Sequence, residues 1–213
     1  MLLQHSMPHL GKNSGATKSA QNIQGMVINS FDNLMGMSAR PAIVVLIGDI
    51  KTGEKPLEDE MEEFKAQDAM VATELVQSID ADYRTINESS LRAIVAGGFS
   101  TLDALFITFF NPGLFGSIAC QSTFIMQAEK IPLEKVIRTA SEQPLRMYMD
   151  WGSYDMRATR EGWDMVKANR EFNEYLRSKG YYPAGGEVHD GSGWSSWRNR
   201  TDRWLTALFP LNQ

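Results

Sequence analysis

The chain has 213 residues, 43 % hydrophobic and 22 % charged, with 21 Lys and Arg against 26 Asp and Glu for a formal net charge of −5. These values suit one globular domain with a sizeable core and exclude disordered, collagen-like and disulfide-rich classes. The negative balance and scattered basic residues argue against a nucleic-acid partner, and no run of about 18 apolar residues is present to cross a membrane. The opening MLLQHSMPHL lacks the basic and apolar regions of a signal peptide. Cys120 is the single cysteine, so no internal disulfide forms. A reducing, cytoplasmic setting is the expectation, with a secreted or periplasmic one if an N-terminal segment precedes the chain.

Short apolar runs alternate with longer helical patterns. Gly11–Gly25, rich in Gly, Ser and Asn, predicts a mobile loop. Ala42–Ile47 (AIVVLI) is β-branched and unbroken, as a strand buried on both faces is. Leu57–Ile79 carries apolar residues at helical spacing with acidic residues between them. Ala93–Ala96 predicts a second strand, closed by Gly97 and Gly98. Leu102–Phe110 predicts a buried helix stopped by Asn111-Pro112-Gly113. Ser117–Gln121 and Leu145–Trp151 read as strands, with a short helix over Pro132–Ala140 between them. Arg160–Lys179 predicts an amphipathic helix ended by Gly180. Gly185–Val188 is a weak last strand, and Trp194–Phe209 a closing amphipathic helix. Such alternation predicts a single α/β domain over residues 1–213, its mostly parallel sheet covered by helices on both faces.

In such sheets, ligands sit beyond the carboxyl ends of the strands. After AIVA comes Gly97-Gly98-Phe99-Ser100-Thr101 and then an apolar helix, the setting of a nucleophile elbow. Asp155 lies in the loop after the Leu145–Trp151 strand, and His189 follows the last strand. The order Ser100, Asp155, His189, with gaps of 155 − 100 = 55 and 189 − 155 = 34 residues, is that of α/β-hydrolase triads. A serine hydroxyl is a poor nucleophile until a base takes its proton. Histidine titrates in the right range, and a carboxylate fixes its tautomer. Each residue also has a structural reading: Ser100 as a helix N-cap, Asp155 as a turn or cap residue. Glu161 and Asp164 are alternative triad acids.

Other constellations are weaker. His5 and His9 have the i, i+4 spacing of a metal pair, but Pro8 breaks a helix there and no third ligand is evident, so no metal site is expected. No phosphate loop or dinucleotide fingerprint occurs, and no cofactor is expected. Trp194 and Trp197 flank His189 and are candidates for a pocket wall.

Four stretches together carry a family resemblance. They are IVAGGFSTLDALFITFFNPGLFGSIACQS, ending at Ser122; Gly186-Glu187-Val188-His189-Asp190 with Trp197-Arg198 and LTALFP; Phe31-Asp32-Asn33-Leu34 with IDADYRT; and the opening Leu2-Leu3-Gln4-His5-Ser6. The chain thereby resembles the serine esterases of the α/β-hydrolase fold that include enterochelin-esterase-like and feruloyl and acetyl-xylan (esterase D-like) enzymes. The resemblance runs over nearly the whole chain and begins at the family's oxyanion strand, so the sheet is expected to be truncated at its N-terminal edge. It implies Ser100 as nucleophile, His189 as base and Asp155 as acid. It also implies an oxyanion hole from the backbone of Thr101 and of Ser6–Met7, and a pocket near His5, Phe99, Trp194 and Trp197. The partner implied is a small-molecule or polysaccharide-linked ester: small acyl, feruloyl or acetyl, or siderophore-type. A second copy of the chain is a candidate to cover the open sheet edge. Leu102 and Asp103 stand where the family's elbow has glycines, and Ser6 where its oxyanion loop has one. The alternative reading is therefore a non-catalytic α/β-hydrolase-like binding protein with a disabled elbow.

Overall fold

The computed structural model describes residues 2–5, 29–47, 65–66, 68–125, 133–138, 144–158, 160 and 162–211. Among the described residues, one parallel sheet holds six strands: β1 (Leu2–His5), β2 (Val45–Ile47), β3 (Ala93–Gly97), β4 (Ser117–Gln121), β5 (Arg146–Gly152) and β8 (Ala184–Val188). The strand order is β2-β1-β3-β4-β5-β8, and every neighbouring pair is parallel. Between β5 and β8, a short antiparallel ribbon joins β6 (Arg157–Ala158) to β7 (Trp163–Asp164). The order reverses direction at β1 and β3, which leaves the crevice for ligands beyond their carboxyl ends. There the register sets His5 opposite Gly97.

Successive strand residues point to opposite faces, and the core divides accordingly. Ile94, Ala96, Ile118, Cys120, Met147 and Met149 pack against helices α3 (Ser100–Phe110) and α5 (Met165–Ser178). Their alternates Ala93, Val95, Ala119 and Tyr148 pack on the other face, against helix α1 (residues 29–34) and helix α7 (Thr201–Leu208). Helix α4 (residues 133–138) contributes Leu133 and Ile137 to the first of these layers. Burial on both faces explains why β3 and β4 read as unbroken apolar runs.

Several boundaries depart from the sequence reading. The strand expected over Ala42–Ile47 is only Val45–Ile47. Within the long acidic pattern, Met70–Leu75 winds as a π-helix before the α-helix α2 (Val76–Asp82), and 57–64 lie outside the described residues. The helix expected from Arg160 starts at Met165, because Asp164 accepts the Lys167 amide at 3.0 Å and caps it. Trp163 and Asp164 belong to β7. The closing helix is three pieces: α6 (Trp194–Trp197), a 3₁₀ turn (Arg198–Arg200) and α7. The loop expected at Gly11–Gly25 lies outside the described residues.

Candidate active site

Ser100, Asp155 and His189 follow the carboxyl ends of β3, β5 and β8; β5 and β8 are neighbours, and β4 separates β3 from β5. The turn after β3 has its positive φ at Gly98, at +64°. Gly98 donates its amide to the Gln121 carbonyl at 2.9 Å and is the apex between strand and helix. The apex is roofed by Trp197: a Cβ on Gly98 would sit 2.9 Å from its ring, and one on Gly97 2.8 Å. Trp197 is held there by its indole N–H, which donates to Ser122 Oγ at 2.9 Å. Only glycine fits a left-handed backbone beneath that ring without strain.

Ser100 lies two residues past the apex, in the first turn of α3, and is 1 % exposed. Thr101 is buried beside it; its backbone N–H, the expected oxyanion donor, is directed at the Gly98 carbonyl at 3.2 Å. His189 is exposed, and its Nε2 pairs with the Tyr154 hydroxyl at 3.0 Å, the rings meeting edge-on with centroids 4.8 Å apart. Asp155 is 3 % exposed, and neither carboxylate oxygen has a hydrogen-bond partner of good geometry. Burial pushes its pKa above the ordinary value; the nearby Ser122 hydroxyl, the Gly152 backbone and the Arg200 charge oppose that rise. No described hydrogen bond joins Ser100 to His189 or His189 to Asp155: the structure gathers the three at one end of the sheet without linking them.

The other expected site residues divide. Phe99 is half-buried and packs on Phe124, with centroids 4.0 Å apart, and Phe124 meets Trp163 at 5.7 Å, so an aromatic wall flanks the elbow. Trp197 is 5 % exposed and belongs to the roof, while Trp194 is half-buried and edge-on to it. His5 ends β1 next to the crevice; Ser6, Met7, His9 and Glu161 lie outside the described residues. Asp164, the alternative acid, caps α5 and pairs with Arg157 at 3.1 Å, and those contacts hold its carboxyl below the ordinary range.

Two features have only faint signals in the sequence. Tyr154 sits one residue before Asp155 and is visible there only as an aromatic in a strand-end loop. Arg200 is the other: it is buried at 3 % and bridges Asp150, through Nε at 3.0 Å and Nη2 at 3.1 Å, to Asp190 at 2.7 Å. Asp190 also accepts the Ser196 hydroxyl and the Gly191 amide. Burial would raise its pKa, but these donors and Arg200 hold it low. The loop that carries His189 is thus anchored to the core at the residue next to the histidine. Among the described residues, no group of three His, Cys, Asp or Glu side chains is placed to hold a metal ion. No described helix is long and apolar enough to cross a membrane.

A parallel sheet in this order, with helices packed on both faces and a strand-to-helix turn after its third strand, has the α/β-hydrolase fold. The model of the esterase family, described as "Putative esterase", matches residues 40–210, and the chain belongs to that family. Membership sets it among the carboxylic ester hydrolases. Among solved structures it is similar to a ferulic acid esterase, with 18 % identity, a TM-score of 0.69, and coverage of 98 % of this chain and 83 % of that one. It is similar to the enterobactin esterase of Shigella flexneri in the presence of enterobactin, with 18 % identity, a TM-score of 0.64, and 97 % of this chain covering 50 % of that one. It is also similar to the S-formylglutathione hydrolase of Staphylococcus aureus, with 10 % identity, a TM-score of 0.56, and coverage of 97 % and 79 %. At these identities the likeness shows the fold, and the chain spans about half the length of the enterobactin enzyme. A search of curated proteins returned no match.

Proposed function

We propose that the chain hydrolyses a small acyl, feruloyl or acetyl, or siderophore-type ester through Ser100, His189 and Asp155. The observation that supports this reading is that all three follow carboxyl ends of strands of one sheet, β3, β5 and β8, with Phe99 packed on Phe124 at the turn that carries Ser100. Ser100 Oγ attacks the ester carbonyl while His189 takes its proton. The tetrahedral oxyanion needs a backbone donor, and the Thr101 amide serves only after it leaves the Gly98 carbonyl. The tetrahedral intermediate collapses to an acyl-enzyme as His189 returns the proton to the departing alcohol, and water repeats the sequence to release the acid. Asp155 orients the imidazole. For this to proceed, Tyr154 must leave His189 Nε2, since that nitrogen cannot hold the phenol and take the serine proton at once.

The test is hydrolysis of p-nitrophenyl acetate by the wild type and by Ser100→Ala, His189→Ala and Tyr154→Phe. Loss of about 10³-fold or more in kcat for the first two variants is expected. Tyr154→Phe is expected to raise kcat/KM by about two- to tenfold, the worth of one hydrogen bond. A Ser100→Ala enzyme as fast as an active wild type removes Ser100 from the mechanism.

Gly98 favours a second reading. The apex of the elbow bears no side chain and lies under Trp197, so the position that aims a nucleophile over the sheet is closed. A folded wild type no faster than Ser100→Ala supports a binding protein that keeps the hydrolase fold without its chemistry.

A further inference from the structure

At the opposite end of the sheet a cavity of about 270 Å³ opens between β2, α2 and the start of β3. Its walls are apolar, with Val45, Val76, Ile79, Leu91, Phe115 and Phe209 among them. Its edge carries two exposed aliphatics, Ile43 at 38 % and Ile86 at 62 %. Three arginines and one aspartate also line it. Asp80 is committed: it pairs with Arg92 and accepts the Thr85 hydroxyl at 2.7 Å. Arg92 also donates to Asn87 at 2.7 Å. Arg40 and Arg84 enter no described ion pair. Arg40 is half-buried, and its backbone amide is fixed to the Phe209 carbonyl at 3.1 Å. The lining therefore has an excess of two positive charges in a chain whose net charge is −5.

We propose that this cavity is a binding site for a small amphiphilic carboxylate, with its head at Arg40 and Arg84 and its tail on the apolar wall. Guanidinium groups match a carboxylate bidentately, and an apolar wall with few polar anchors is the make-up of a ligand site. Size limits the ligand. A volume of about 270 Å³ lies at the small end of ligand sites, so it suits a small acid rather than a membrane lipid. The site is separate from the catalytic end: Ala93 lines it, and β3 runs from Ala93 to Gly97 before the elbow, about 13 Å at 3.3 Å per residue.

Octanoate has ten heavy atoms, and isothermal titration calorimetry of the full chain with octanoate and with 1-octanol tests the proposal. The wild type is expected to bind one octanoate and to bind octanol about tenfold or more weakly. Arg40→Gln/Arg84→Gln is expected to weaken octanoate to the octanol level. Ile86→Asp, an exposed change that keeps both arginines, sets a repelling carboxylate at the mouth and is expected to weaken it as well. His189→Ala is expected to bind octanoate as the wild type does. No heat of binding to the wild type, or equal affinity for octanol, overturns the proposal. So does octanoate binding that folded arginine variants retain, or that His189→Ala abolishes, since the acid then occupies the catalytic end.

Discussion

A carboxyl group buried without a partner is expensive, and Asp155 is one. Its pKa is raised chiefly by burial, so the native state holds the proton more tightly than the unfolded chain does. For an acid shifted upward the native state is least penalised below the ordinary value of 3.8, and stability is lost as the pH climbs from there through the raised value. Asp155→Asn removes that loss. The variant is expected to unfold at higher temperature than the wild type at pH 7, with the difference shrinking as the pH falls toward 4, read by calorimetry across that range. If Asp155 orients His189, the same variant loses esterase activity, because an amide holds the imidazole in the wrong tautomer. A gain in stability with a loss of rate marks a residue kept for chemistry. Equal stability at both pH values overturns the account of its burial. Why Asp155 was legible in the sequence while its state was not is a matter of neighbours. A carboxylate after a strand is visible in one dimension, but its missing hydrogen bonds depend on Gly152, Ser122 and the Asp190 segment folding around it. The elbow misleads for a related reason. Ser100 has the right sequence distance from the strand, yet the positive φ falls on Gly98, and the ring that excludes a side chain there arrives from Trp197, about a hundred residues away.

Among the elements, those buried on both faces were the easiest to read, since β3 and β4 need no alternation and show none. β8 was harder: its sequence AGGEV is polar and glycine-rich because it lies at the sheet edge and is largely exposed. The apolar spacing of the closing segment predicts one helix, and that spacing is real, since Trp204, Leu205 and Leu208 enter the core. What the spacing conceals is that Arg200 turns inward. The chain breaks into a 3₁₀ turn there, and the guanidinium reaches Asp150, which is fully buried. Asp150 also accepts the Tyr148 hydroxyl at 2.8 Å and the Gln121 amide at 3.2 Å, so this one carboxylate ties β4, β5 and the closing segment together. Arg200→Leu leaves Asp150 charged and buried without its cation, an expected cost of about 3–5 kcal/mol. Urea denaturation measures it. Adding Asp150→Asn to Arg200→Leu is expected to recover part of the loss, because the uncompensated charge is then gone. A loss below about 1 kcal/mol in the single variant would mean the pair contributes no more than a surface bridge.

At the scale of the whole molecule, the two edges of the sheet are unequal. Along β8 the Gly185 and Gly186 backbones take positive φ, and Glu187 is held by Arg170 through two bonds of 2.6 and 2.7 Å. Twisted backbone and paired charge both discourage a further strand. Among the described residues the other edge is β2, the uncharged Val45–Ile47, with Leu46 at 38 % exposure and Ile43 at 38 % just before it. An apolar edge strand offers open backbone donors and acceptors to any matching chain, and the matching chain always at hand is a second copy. Self-association through β2 is therefore expected to rise with protein concentration, and Leu46→Lys to suppress it, because a lysine on an edge strand resists burial against its own image. Sedimentation velocity over a hundredfold range of concentration distinguishes the outcomes. A wild type that stays monomeric throughout shows that β2 does not pair. A dimer indifferent to Leu46→Lys shows that association uses another face. The edge also adjoins the arginine-lined cavity, through Ile43 and Val45, so a dimer built on β2 is expected to change octanoate affinity with concentration, whereas one built elsewhere is not.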